Sequence, residues 1–94
     1  MLDELYEDLW KQFDQSAKAA WLSMLLTTER GAPRHSLYTW SGLEIEAFNH
    51  AFEKLVQLDL IEEIMGNTEK NFRIHSSARR FLNHKIFDSH SRLL

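Results

Sequence analysis

The chain has 94 residues, 44% of them apolar and 27% charged, with a formal net charge of -3. That size and balance make one globular domain and exclude a disordered segment. The absence of cysteine excludes a disulfide framework and a thiolate metal site.

No apolar run approaches the roughly 20 residues needed to cross a bilayer. The start, Met1-Leu2-Asp3-Glu4, has neither the basic flank nor the apolar stretch of a secretory signal, so a cytoplasmic protein without a membrane partner is expected. The acidic total removes the simplest electrostatic ground for binding nucleic acid without excluding it. Three Trp, six Phe and two Tyr give a small core large apolar areas to bury.

A first helix is expected over about 2–13, where Leu2, Leu5, Tyr6, Leu9, Trp10 and Phe13 recur at helical spacing. Asp14-Gln15-Ser16 interrupts it, and Asp14 or Ser16 offers a cap for a second helix over 17–27. Ala20, Trp21, Leu22, Met24, Leu25 and Leu26 make that helix apolar on most sides, which marks a central one. Thr28-Glu29-Arg30-Gly31-Ala32-Pro33 reads as a loop because it holds the only proline and a glycine.

A short helix over 35–40 ends at Ser41-Gly42, and a longer one covers 44–58 with Ile45, Phe48, Phe52 and Leu55 inward. Glu44 and Glu46 favour the positive end of its dipole. The period then changes. The runs 60–65 and 71–75 flank Gly66-Asn67-Thr68-Glu69-Lys70 and predict a β-hairpin. Ser76 or Ser77 caps a last helix over 77–87 with Ala78, Phe81, Leu82 and Ile86 inward, and 88–94 forms a tail.

Helix, helix, short helix, helix, hairpin, helix is the order of an α+β, mostly helical winged helix-turn-helix with an extra N-terminal helix and a two-stranded wing. Trp21, Trp40, Phe48 and Phe52 are expected in its core.

Few residues offer chemistry. The chain has no phosphate-binding glycine loop and no dinucleotide, zinc-protease or EF-hand pattern. His35, His50, His75, His84 and His90 are scattered without a second ligand at metal spacing, so no metal is expected. Glu62 and Glu63 would point to opposite faces of a strand and cannot converge on one substrate atom. The expectation is a non-catalytic protein.

In a winged helix the second helix of the pair usually reads the major groove. Here that helix carries Glu44, Glu46 and Glu53 against Lys54, with Asn49, His50 and Gln57 as neutral polar groups. Phosphates repel those glutamates, whereas DNA-binding surfaces gain affinity by pairing phosphates with Lys or Arg. If DNA is bound, Arg34, Lys54, Lys70 and Arg73 are the candidates for phosphate contact. Arg79, Arg80 and Lys85 form the one basic cluster, and it reads as a solvated face.

The stretch Phe72-Arg73-Ile74-His75-Ser76-Ser77-Ala78-Arg79-Arg80-Phe81-Leu82, after Leu60-Ile61-Glu62-Glu63-Ile64 and a turn, resembles the end of the winged-helix domain of STAND ATPases, the NB-ARC and NACHT class. Leu5-Tyr6-Glu7-Asp8-Leu9-Trp10, Ser41-Gly42-Leu43 and Glu53 to Ile61 are similar to earlier parts of that domain, so the resemblance spans about residues 5–87. It implies a regulatory module that packs against a nucleotide-binding domain, in cis or on another subunit. It also implies that His75 faces the ADP β-phosphate, with ADP or ATP reached only through an adjoining domain and no cofactor held by this chain alone. Ser76 stands where the plant-type motif has an acid.

Three functions therefore stay open: that module, a free-standing winged-helix transcription regulator, and a protein-interaction or dimerisation domain. The third requires Leu2, Leu5, Leu9 and Trp10 of the first helix to be bare.

Overall fold

Asp14 divides the first two helices. The computed structural model describes residues 2–92, with side chains from 4 to 87. Helix α1 (Leu2–Gln12) stops short of Asp14, whose carboxylate accepts the Ala17 N–H at 2.8 Å and starts α2 (Gln15–Ser23). After α2 the chain tightens into a 3-10 turn at Met24–Leu26. There follow β1 (Ala32–Pro33), α3 (Arg34–Ser41), α4 (Ile45–Gln57), β2 (Glu62–Met65), β3 (Lys70–Arg73) and α5 (Ser76–Arg92). The fold is α+β, mostly helical, and winged-helix in its element order.

The sheet has one strand more than the sequence predicts. Its order is β1-β3-β2, antiparallel throughout, with Ala32 opposite Phe72 and Glu62 opposite Arg73. Loop composition hid β1, which lies inside the stretch expected to be irregular. Gly31 makes the strand possible: at φ +72° it turns the chain where a Cβ would sit 2.7 Å from the Phe72 carbonyl oxygen. Pro33 is tolerated because β1 is a two-residue edge strand that has a partner on one side only.

Both hairpin strands are shorter than expected. Leu60 and Ile61 are buried before β2 begins, and Asp59, at φ +60°, lets the Leu60 N–H close onto the Leu55 carbonyl at 3.0 Å. Ile74 and His75 follow β3 outside the ladder, with Ile74 buried and His75 exposed.

The core is aromatic. Trp21 is fully buried, its ring 5.5–6.1 Å from those of Tyr6, Trp10, Phe13 and Phe81. A second chain of rings runs from Tyr38 through Phe48 and Phe52 to Phe72, which meets Phe52 edge-on at 4.9 Å. Trp40, expected in this core, is 43% exposed. In so short a helix, Leu37 takes the inward position at 0% exposure and Tyr38 takes the flank, which leaves Trp40 outside.

Three further expectations are corrected. Ile45 and Ile86 are half exposed, at 50% and 46%, because each lies beyond the stretch of its helix that the core covers. The first backbone bond of α5, from Arg79 N–H at 3.0 Å, is accepted by His75, so His75 holds the cap position expected for Ser76 or Ser77. The Ser77 hydroxyl instead shares a 2.9 Å hydrogen bond with Tyr6. Helix α5 continues to Arg92, so residues 88–92 of the expected tail are helical.

Candidate functional site

The pair α3–α4 and the wing beside it define the exposed working face of the fold. Gly42, left-handed at φ +72°, ends α3. Ser41 fixes the turn by donating to the Tyr38 carbonyl at 2.7 Å and accepting the Leu43 N–H at 3.2 Å. Glu44 then leads into α4 with extended backbone, and its carbonyl accepts the Phe48 N–H at 2.8 Å. Since Phe48, Ala51, Phe52 and Leu55 are buried, the opposite face of α4 presents Glu46, His50, Glu53 and Gln57 to solvent, with Asn49 at its edge.

Between α4 and the wing runs a groove. One stretch, about 550 Å³, is walled by Tyr38, Ile45, Phe48 and Phe72, and a second, about 480 Å³, by Phe52, Val56 and Glu63. Arg34, Lys70 and Phe72 belong to both stretches. Arg34 is held by its packing: its guanidinium lies 4.4 Å from the Phe52 ring centre and 5.9 Å from that of Phe48, and Nη2 donates to Asn49 Oδ1 at 2.9 Å. Lys70 Nζ is 3.1 Å from Glu63, and His35 Nδ1 is 3.9 Å from Glu69 at the rim.

Of the four cations expected to touch phosphate, the structure brings Arg34 and Lys70 together. Lys54 lies outside the groove, its ammonium 5.6 Å from the Phe13 ring. Arg73 belongs to the other face of the sheet, where Nε donates to Glu62 at 2.8 Å and Nη1 to the Glu29 carbonyl at 2.8 Å. The charge-assisted bond from Arg73 holds the Glu62 carboxyl below its usual range, and the same bond raises the Arg73 guanidinium.

The basic cluster on α5 also dissolves. Arg79 donates to the Leu25 and Thr27 carbonyls, Lys85 sits 2.7 Å from Glu7, and Arg80 is exposed. His75 stands at the start of α5, in a cleft it shares with Glu62, Arg73 and Arg79. Among the described residues no group of His, Cys, Asp or Glu is placed to hold a metal. Nor is any helix among them long and apolar enough to cross a membrane.

Sequence reasoning missed Asn49, Phe48 and Phe52 as partners of Arg34. Nothing in the sequence marks them, since Asn49 lies fifteen residues from Arg34.

No family model matches the chain, and neither does any curated protein. A solved structure does. The crystal structure of F-93 from SSV1 is similar with a TM-score of 0.62 at 17% identity, covering 88% of this chain and 97% of that one. The likeness lies in the fold, and it takes in nearly the whole of a chain of similar size. Helix α4 is exposed on one side and flanked by the wing.

Proposed function

We propose that the chain is a non-catalytic, cytoplasmic winged-helix regulator that binds DNA with α4 in the major groove and the wing against the backbone. The observation that carries this is the outer face of α4, uncovered along its length and flanked by the wing. Thirteen residues make α4 about 20 Å long, and B-DNA's major groove, about 12 Å wide, admits such a helix. Asn49, His50 and Gln57 supply donors and acceptors for base edges, and Arg34 and Lys70 stand nearest for phosphates. The likeness in fold to F-93 of SSV1 supports the winged-helix part of this reading.

Glu46 and Glu53 on the same face hold general affinity down, which ties binding to sequence rather than to charge. Two phosphate contacts give a salt slope of only about -2 per protomer. The test is fluorescence anisotropy on a duplex pool enriched over repeated rounds, read at two salt concentrations. Enrichment of a sequence with a shallow salt dependence supports the reading. No enrichment at low salt overturns it.

One observation favours the second reading, a module similar to that of STAND ATPases: His75 is exposed at the first turn of α5, beside Arg73 and Arg79. An imidazole there can donate to an anion with the helix dipole behind it. Its test is ADP retention by a chain that carries this domain joined to a nucleotide-binding domain, with His75→Ala against wild type. Unchanged retention overturns it.

A further inference from the structure

We infer that the groove between α4 and the wing binds a small monocarboxylate with an aromatic or branched aliphatic body, held by Arg34. The first ground is the state of Arg34. Arg34 is half buried with its guanidinium 4.4 Å from the Phe52 ring centre, and among the described residues it has a neutral hydrogen-bond partner, Asn49, but no carboxylate. A guanidinium has five donors, so most of its hydrogen-bonding capacity is open to a ligand. The other cations of the groove are differently placed: Lys70 is paired with Glu63, and His35 is near Glu69.

The second ground is the wall. Tyr38, Ile45, Phe48 and Phe72 line the stretch of about 550 Å³ that Arg34 enters, a volume within the usual range for small-ligand sites. Few polar groups among many apolar ones is the pattern that fixes a ligand's orientation by one end and buries the other. A planar carboxylate matches the guanidinium fork with two parallel hydrogen bonds, which a tetrahedral oxyanion on a polar body would achieve without using the apolar wall. Because Lys70 is paired with Glu63 and His35 stands near Glu69, a single negative charge directed at Arg34 balances the one cation of the groove that lacks a carboxylate among the described residues.

Binding of this kind does not rest on the DNA reading. Its consequence does: a ligand seated between α4 and the wing takes Arg34 and Lys70 away from phosphate, so that ligand and DNA exclude each other.

The experiment titrates the full chain with benzoate, its neutral isostere benzamide, and inorganic phosphate, followed by amide NMR shifts. Benzoate is expected to shift Tyr38, Ile45 and Phe72 at concentrations at least tenfold below those needed for benzamide or phosphate. Equal affinity for benzamide would overturn the role of Arg34, and equal affinity for phosphate would overturn the carboxylate class. Arg34→Gln is expected to weaken benzoate binding tenfold, and Arg34→Lys to restore only part of it. Arg80→Gln, at an exposed site on α5 outside the groove, is expected to change it less than threefold. An unchanged Arg34→Gln titration would sink the proposal. Adding benzoate to the DNA complex tests the exclusion separately: if benzoate binds the free protein but does not release an enriched duplex, the site stands and the DNA geometry fails.

Discussion

Arg79 donates through both terminal nitrogens, from Nη2 to the Thr27 carbonyl at 2.7 Å and from Nη1 to that of Leu25 at 3.0 Å. The Thr27 hydroxyl joins in, accepting from Arg79 at 3.1 Å while it donates to the Met24 carbonyl at 2.6 Å. The last helix is thereby tied to the turn that closes the second, 52 residues earlier.

Replacing Arg79 by Ala leaves those carbonyls without the charged donor. A loss of about 2 kcal/mol is expected, read as a shift of the urea midpoint with unchanged slope. Arg79→Lys restores less than half, because one ammonium cannot span the acceptors that the fork reaches. A loss below about 0.5 kcal/mol, the level of an ordinary surface substitution, would show that the turn is held by packing alone.

Trp21 gives a second prediction. Its ring is completely buried, yet Nε1 finds no acceptor among the described residues. Trp21→Phe therefore removes volume without breaking a hydrogen bond, and is expected to cost about 1–2 kcal/mol, against about 4 kcal/mol for Trp21→Ala. Chemical denaturation of both variants checks the gap. A Trp21→Phe loss of about 3 kcal/mol or more would mean that the indole nitrogen is bonded after all.

Two glycines share one backbone angle and differ in surroundings. Gly31 and Gly42 are both at φ +72°, but an added Cβ at Gly42 meets nothing within 4 Å, while at Gly31 it meets the Phe72 backbone at 2.7 Å. Gly42→Ala is expected to cost about 1 kcal/mol from the left-handed angle alone. Gly31→Ala carries the same strain plus the displacement of β1 from β3, and about 3 kcal/mol or more is expected. Thermal melts of the two variants decide it, and equal melting points would show that β1 gives way freely.

The pair Glu62–Arg73 sets an acid dependence. Hydrogen bonding and the charge of Arg73 lower the Glu62 carboxyl, so the folded state binds its proton less readily than the unfolded chain. The stability this contributes is fully present above the ordinary carboxylate value of about 4.3, and it is lost as pH falls through the lowered folded value. Glu62→Gln is expected to be less stable at neutral pH and to lose part of the wild-type decline in acid. Parallel melting curves against pH for the two proteins would remove the pair as a cause.

Much of the fold was legible because long elements repeat their pattern. In α4 the spacing of Phe48, Phe52 and Leu55 fixes the inner face, and Gly66-Asn67 marks the wing turn. The failures fall where an element is short or its rule non-local. Two residues of β1 show no alternation, and the strand exists because β3 offers an edge. Leu37 and Trp40, three apart on two turns of helix, satisfy the same periodicity, and tertiary packing chooses Leu37.

The outer face of α1 tells a mixed story: Leu5 is 54% exposed, Leu9 and Trp10 are half buried, and Leu2 lies outside the residues whose side chains are described. As for the groove, Arg34 and Lys70 were legible as cations. Their meeting was not, since it depends on how the wing folds back over α4.

The wing is not a free flap. Its central strand is paired on both sides, and it is tacked to the preceding loop by Asn71 on the Arg30 carbonyl at 3.0 Å and Arg73 on that of Glu29 at 2.8 Å. β1 runs directly into Arg34, so the sheet passes into the first turn of α3 with no loop between them. Pro33 is thus the seam at which the wing's sheet and the helix that bears Arg34 become one continuous stretch of backbone.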